Sequence, residues 1–318
     1  MNFRKLTVML HSADVLILGF FLMMTVLSLL FSARIPAWRV LVTINIGVSL
    51  AIWLLAASRH ATGWRVLAFI HDWYVPPMVF FSFKELYYMV RPIHFGRDYD
   101  DVLIAIDHWL FGVNPTEWLT KFSQPVVTEI LQIAYTMFFF LFLIVGFELY
   151  RRHNLDLFHF YVFTGTYGFF LSYLGYFLLP AVGPRFTLHD FSMLDHDLPG
   201  LWLTPYLRWF VNAGESIPTG VPNAVALVGT QRDVFPSGHT MMTIFLIFFC
   251  ARYRLRVRRC IYVIGGLLIV ATVYQRYHYV VDLVGGAAFA IFCLSTAPSL
   301  YMFMKSHLQT MESRLPHG

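Results

Sequence analysis

Residues 235–259 read FPSGHTMMTIFLIFFCARYRLRVRR. A polar loop ends in Phe235-Pro236-Ser237-Gly238-His239-Thr240, an apolar run follows, and Arg252, Arg254, Arg256, Arg258 and Arg259 close it. This pattern predicts a helix that starts at one membrane surface and meets a basic cluster at the other. Pro236-Ser237-Gly238-His239 at a helix start makes a phosphate cradle. Free backbone N–H groups and the positive end of the helix dipole favour an anion there. His239 adds a proton donor. Taken alone, the four residues serve equally well as an ordinary helix start, so the reading depends on partners elsewhere in the chain.

The composition sets the class. Of 318 residues, 58% are hydrophobic and 13% charged, against roughly 25% charged in a soluble domain. An all-α integral membrane protein follows, because lipid offers no partner for open backbone groups. Eight spans are expected, near residues 14–32, 40–57, 73–90, 127–149, 157–181, 237–252, 260–276 and 279–304. The third carries Pro76-Pro77, Lys84 and Glu85, and the sixth is short. The arginine cluster after the sixth span marks a cytoplasmic loop. Arg151-Arg152, Arg59 with Arg65, Arg4-Lys5 and Lys305 fall on the same side. Both termini are then cytoplasmic, and the loops near 91–126 and 182–235 face out. The apolar run after Arg4-Lys5 has no clear cleavage site and is taken as a retained span.

The chain divides into an N-terminal two-span region (1–72), a membrane core (73–304) and a cytoplasmic tail (305–318). No internal repeat is visible. The net charge of +5 is spread out, which argues against a nucleic-acid partner. Cys250, Cys260 and Cys293 show no pairing pattern, so neither a disulfide framework nor a zinc site is expected.

The outer loops carry features of their own. From Asp101 to Gly112, apolar residues share one helical face, with Asp101, Asp107 and His108 elsewhere. This predicts a short helix lying on the membrane, with Trp109 and Trp118 at the interface. Leu188-His189-Asp190 and Asp195-His196-Asp197 are read as a solvated loop or lid, not as metal ligands. Gly168, Ser172 and Gly175 make a close-packing face.

The partners of His239 lie in two stretches. His278 and Asp282 are four apart in Tyr274-Gln275-Arg276-Tyr277-His278-Tyr279-Val280-Val281-Asp282, and share a helical face. A carboxylate so placed holds one ring nitrogen protonated and leaves the other free to attack. The pair falls on the same membrane face as His239. The fifth span ends on that face in Gly183-Pro184-Arg185, where Arg185 either binds phosphate bidentately or anchors the span at the headgroups.

Pro236-Ser237-Gly238-His239, followed about 40 residues later by His278-x3-Asp282, resembles the type 2 phosphatidic acid phosphatase superfamily. The nearer resemblance is to its inositol phosphorylceramide synthase-like branch. It is carried by Asp101 through Asp107 with Phe111-Gly112, by Asn114-Pro115-Thr116-x-Trp118, by Gly183-Pro184-Arg185 and by Tyr277 through Asp282, over roughly residues 85–290. The resemblance implies a six-helix phosphatase-type core and a lipid phosphatase or head-group phosphotransferase of phospholipid or sphingolipid metabolism. It implies a phosphohistidine intermediate with no metal and no cofactor. The substrate is a lipid phosphate or phosphodiester, the acceptor water or an alcohol, and the site lies at the extracytoplasmic face.

The implied roles follow residue by residue. His278 is the nucleophile, Asp282 orients it, and His239 is the acid and then the base. Arg185, Ser237 and the N–H groups around Gly238 hold the phosphoryl oxygens. Two departures stand out. Ala271-Thr272 occupies a place where many relatives have Ser-Arg, so Arg185 or Arg276 must supply that cation. Lys84-x6-Arg91-Pro92 matches another family motif in letters, but two further spans separate it from the Pro-Ser-Gly-His loop. Arg91 and Lys84 are therefore second-rank phosphate ligands, the lysine about 10 Å below the arginine along a helix. Two other classes compete: a transporter or channel with Lys84 and Glu85 on its pathway, and a non-catalytic lipid-binding relative.

Overall fold

The structure is a computed structural model that describes residues 9–152, 154–217 and 220–313. Arg4 and Lys5 lie outside the described residues. Among the described residues all regular structure is helical. The main helices are α1 (Ser12–Leu30), α2 (Trp38–Thr62), α3 (Arg65–Trp73), α4 (Val75–Ile93), α5 (Asp100–Phe111), α6 (Pro125–Thr136), α7 (Phe138–Arg151), α8 (Leu155–Leu178), α9 (Thr204–Gly214), α10 (Gly238–Arg252), α11 (Arg258–Tyr274) and α12 (Val280–Ser313). Each expected span position holds a helix. Four helical stretches are long and apolar enough to cross a membrane on their own, namely Ser12–Leu30, Trp38–Thr62, Arg65–Ile93 and Val280–Thr310. A fifth results if α6 and α7, bent by 49°, count as one span. α10, at 15 residues, is shorter than such a crossing needs.

Helix α8 is the axis of the bundle. It packs against α1, α4, α7, α10 and α12, and its apolar residues point all round, as a helix buried on every side requires. Its small residues set the distances. A Cβ on Gly168 would meet the sulfurs of Met242 and Cys293, at 2.9 and 3.4 Å. A Cβ on Gly175 would lie 2.2 Å from Cδ of Pro236. On the opposite side, a Cβ on Gly286 of α12 would lie 2.5 Å from the Ser237 carbonyl oxygen. The Pro236-Ser237 turn is thus clamped between two glycine surfaces, in keeping with the packing face expected at Gly168, Ser172 and Gly175. Helix α1 joins the same core. Ile17, Phe20, Phe21 and Met24 pack with Phe170, Tyr173 and Tyr176 of α8, and Phe20 stacks on Phe170 at 4.1 Å.

The outer loops are pinned, not loose. Glu129 of α6 accepts from the N–H groups of Leu201, Leu203 and Thr204 and from the Thr204 hydroxyl, which caps α9. The His-Asp pairs of the 182–235 loop are spent on fastening it. Asp195 pairs with Arg208, Asp197 with Arg276, and His189 bonds Thr116 at 3.0 Å. Helix α5 also differs in detail from its amphipathic reading. Asp101 and His108 are exposed, and so is Trp109, but Asp107 is buried and Asp100 beside it turns inward. Both carboxylates meet backbone N–H groups, which explains why acids on a nominally polar face are inside.

The Gly175–Pro236 contact makes a prediction. Gly175→Ala overpacks the turn and lowers stability by about 1–3 kcal/mol. Gly47→Ala in α2, where an added methyl meets nothing within 4 Å, leaves stability unchanged or slightly raised. Thermal unfolding of the two variants in detergent checks the difference.

Candidate active site

The two histidine motifs meet at one end of the bundle, opposite the arginine cluster. Ser237 caps α10, its Oγ accepting from the Thr240 N–H at 3.2 Å. His239 follows in the first turn. The chain between α11 and α12 reverses through Arg276, whose φ of +65° lies in the left-handed region. That reversal lets the N–H groups of Tyr277 and His278 both bond the Thr272 carbonyl, at 2.9 and 3.0 Å. It aims His278 back toward His239. The rings meet with His278 Nε2 3.5 Å from His239 Nδ1. On the other side, His278 Nδ1 lies 3.3 Å from Asp282 Oδ2, which also accepts from the Tyr279 N–H at 2.8 Å. The Asp282 carbonyl accepts from the Ser237 N–H at 2.9 Å. The sequence-expected trio His239, His278 and Asp282 is therefore brought together.

Two acids on α5 brace the second motif. Asp107 accepts from the N–H groups of Val280 and Val281 at 2.7 and 2.8 Å and so caps α12. Asp100 accepts from the N–H groups of Val182 and Gly183 and from the Tyr279 hydroxyl. Gly183 has a φ of +95°, and a Cβ there would meet the Tyr277 carbonyl at 2.8 Å. The Arg185 N–H then bonds the Arg276 carbonyl at 3.0 Å. The Gly183-Pro184-Arg185 turn is thus laid directly against the second histidine motif.

Arg185 is buried, and its Nη2 pairs with Glu215, which directly follows α9. Nε and Nη1 of Arg185 have no hydrogen-bond partner among the described residues. Its guanidinium sits 4.7 Å from the ring centroid of Tyr277. Tyr277 stacks on Tyr135 at 4.1 Å, and Tyr135 stacks on His239 at 4.6 Å. This aromatic column links the cation to the histidine. Arg276 is engaged elsewhere, with Asp197 at 2.8 Å and Thr120 at 3.2 Å. Lys84 donates to the Ser216 hydroxyl at 2.7 Å and has Glu215 and Asp233 as its nearest negative charges. Its neighbour Glu85 faces away and accepts from Asn45 of α2 at 2.7 Å, so the two do not share a pathway. Arg91 lies half-buried near the end of α4, with no hydrogen-bond partner for its Nε among the described residues. Among the cations, it is Arg185 whose charge reaches His278.

The electrostatics follow from this packing. Burial, then the nearby His239 and Arg185, hold the His278 imidazole well below its ordinary value, which keeps its lone pair available. Burial works against the Arg185 charge, but the Glu215 carboxylate paired with it holds its pKa above the ordinary value. Burial and the neighbouring Glu215 push the Asp233 carboxyl up to about 7. Glu215 and Asp233 were not anticipated. Neither stands in a spacing motif, and the loop that carries them is fastened by the pairs Arg208–Asp195 and Arg232–Asp98.

An apolar cavity of about 300 Å³ opens beside the histidine pair. His239, Gly238, Glu215 and Asp233 form its polar end. Phe80, Phe83, Phe138, Phe142 and Phe169 line its length between α4 and α7, and Asp72 and Trp73 lie at its far end.

The model of one protein family, the PAP2 superfamily, matches residues 101–296, well over half of the chain. The match contains Arg185, His239, His278 and Asp282 and leaves α1 to α4 outside. No curated protein and no solved structure matches the chain.

Asp233 yields a pH test. Its folded pKa is raised from 3.8 to about 7. The stability it contributes is therefore fully present below pH 4 and is lost as the pH rises through about 7. Asp233→Asn removes that dependence. Melting temperatures across pH 4–8 should fall with rising pH more steeply in the wild type than in the variant.

Proposed function

We propose that this chain, which belongs to the PAP2 superfamily, moves the phosphoryl group of a lipid phosphate or phosphodiester by way of His278. Membership supports a phosphatase-type membrane phosphoesterase. The observation that carries the finer reading is the convergence of four side chains. His239 meets the His278–Asp282 pair, the charge of the buried Arg185 reaches His278, and His239 itself lines the apolar cavity.

In the first step the Nε2 lone pair of His278 attacks phosphorus, and an N–P bond forms as the bond to the leaving oxygen breaks. His239 gives that oxygen its proton. Asp282 holds the Nδ1 proton in place and balances the charge that the imidazole acquires. In the second step the acceptor oxygen attacks phosphorus while His239 takes its proton, and the N–P bond breaks to restore His278. Arg185 Nε and Nη1, together with the N–H groups at the start of α10, stabilise the non-bridging oxygens as charge develops on them. A phosphoryl group and its leaving oxygen do not fit in 3.5 Å, so the two rings must part on binding. His239 is half-buried at the cavity mouth, whereas His278 is held by Asp282, so His239 is the ring that turns.

The cavity supports a lipid substrate, with hydrocarbon among the phenylalanines and phosphate at the histidines. The arginine-rich end, at Arg59, Arg151-Arg152 and Arg252 through Arg259, is cytoplasmic, which puts both termini there and the site on the extracytoplasmic face. Water as acceptor makes the enzyme a phosphatase. A lipid or sugar alcohol makes it a head-group transferase, the reading favoured by the likeness to inositol phosphorylceramide synthases. Arg185 is the phosphate clamp, and Lys84 and Arg91 rank after it. Lys84 donates to the Ser216 hydroxyl next to Glu215, beside the clamp. No role here needs a metal.

The test is turnover of labelled phosphatidate, prenyl diphosphate and phosphoinositide, each with and without an alcohol acceptor. His278→Ala abolishes both release and transfer, and His239→Ala lowers kcat by about 10²–10⁴-fold. Full activity in His278→Ala sinks the reading. Arg185→Gln falls further than Arg91→Gln; the reverse order moves the clamp to Arg91.

A further inference from the structure

The opposite end of the bundle carries a cluster that phosphoryl transfer does not use. His11 precedes α1, Arg59 lies in the last turn of α2, His71 and Asp72 lie in the last turn of α3, and His159 lies near the start of α8. One nitrogen, Nη1 of Arg59, sits 2.8 Å from His11 Nε2, 2.8 Å from His71 Nδ1 and 3.3 Å from Asp72 Oδ1. His159 Nε2 lies 3.0 Å from the same Asp72 oxygen. A guanidinium nitrogen only donates. Both imidazole nitrogens facing it therefore present lone pairs, and two histidines and a carboxylate aim those lone pairs at one point. That is the arrangement by which a metal ion is held.

The spacing fits as well. The ligand atoms of His11, Asp72 and His159 lie within 4.8 Å of one another, and so do those of His11, Asp14 and His71. Asp14 is already committed. It accepts from the His11 N–H at 2.6 Å and from the Tyr74 hydroxyl, and its Oδ2 lies 3.0 Å from His71 Nε2. With the Arg59 donor facing His71 Nδ1, Asp14 stands at the other ring nitrogen, where an outer carboxylate stands for a metal-bound histidine. Two buried carboxylates, Asp14 and Asp72, balance a divalent charge. A cavity of about 180 Å³ adjoins the cluster, lined by His11, His71, Asp72 and His159 and by Lys305 of α12. Arg59 keeps 25% of its side chain exposed, so it can swing out.

We propose that His11, Asp72 and His159, with His71 Nδ1 as fourth donor, bind a divalent transition-metal ion of the zinc class, and that the Arg59 guanidinium holds its place when the ion is absent. Three imidazoles and one carboxylate suit a borderline ion over the oxygen-preferring Mg²⁺ and Ca²⁺. The ion ties α1 and α3, which lie outside the family match, to α8 within it. No step of the phosphoryl transfer runs through it.

The experiment is titration of the full-length, chelator-stripped protein in detergent with Zn²⁺, followed by calorimetry and by thermal unfolding. One zinc per chain is expected, with a raised melting temperature. His11→Ala and His159→Ala each weaken binding at least tenfold. Arg59→Met binds several-fold more tightly than the wild type, a gain that misfolding does not produce. No saturable binding in either wild type or Arg59→Met overturns the site, as does binding that both histidine changes leave intact. Equal or weaker zinc binding by Arg59→Met overturns the displacement of the guanidinium. Saturation by Mg²⁺ at similar concentrations overturns the zinc-class assignment.

Discussion

One backbone hydrogen bond decides whether there is a site at all. The Ser237 N–H donates to the Asp282 carbonyl at 2.9 Å, and this clasps two helix starts that are 45 residues apart in the chain. Asp282 works at both ends of the clasp. Its carbonyl holds the first motif, while its carboxylate holds the His278 ring and the Tyr279 N–H. The approach needs room, which Gly175 and Gly286 supply by having no side chain where Pro236 and the Ser237 carbonyl pass. The approach of His239 to His278 thus depends on close backbone packing inside the bundle. A proline, two glycines and an aspartate set the 3.5 Å between two imidazoles.

Around that clasp the acids of the outer loop act as splints. Asp107 caps α12, Asp100 fastens the Gly183 turn, and Glu129 caps α9. Each buried carboxylate meets several N–H groups at a helix start or turn, where its charge is best compensated without a cation. The cations are thereby left for other work. Arg208, Arg232 and Arg276 pair with Asp195, Asp98 and Asp197 and fix loops. Arg185 is different, because among the described residues Glu215 is the one hydrogen-bond partner of its side chain, and Nε and Nη1 have none. A buried unsatisfied donor is costly, and in the reading proposed above a phosphoryl oxygen relieves that cost.

The legible part of this protein was its local grammar. Apolar runs marked the helices, and the register of His278 and Asp282 gave their shared face. Gly168 and Gly175 announced a tight contact, and the motif pair brought His239 to His278. What stayed hidden was long-range. Asp100, not Asp101, turns inward on α5, because the turn at Gly183 supplies N–H groups on that side. Periodicity within α5 cannot see a turn more than seventy residues away. Glu215 and Asp233 reach the site through a loop whose path is set by ion pairs. The cluster of His11, Arg59, His71, Asp72 and His159 draws on four segments with no fixed spacing, so a search for paired ligands along the chain passes over it.

The two ends of the molecule are not independent, because Asp72 lines both cavities. It lines the apolar cavity that His239 also lines, and it is a wall of the polar one at the arginine-rich end. With Arg59 in place, Asp72 is shared by Arg59 Nη1 and His159 Nε2. With an ion in that place, the same carboxylate oxygen becomes a metal ligand and Arg59 leaves. Trp73 follows Asp72 directly and packs on Phe158 at 5.3 Å, so a shift of the carboxylate is felt at once by an aromatic wall. Asp72 thus joins the polar cluster at one end of the bundle to the wall of the cavity that His239 lines at the other.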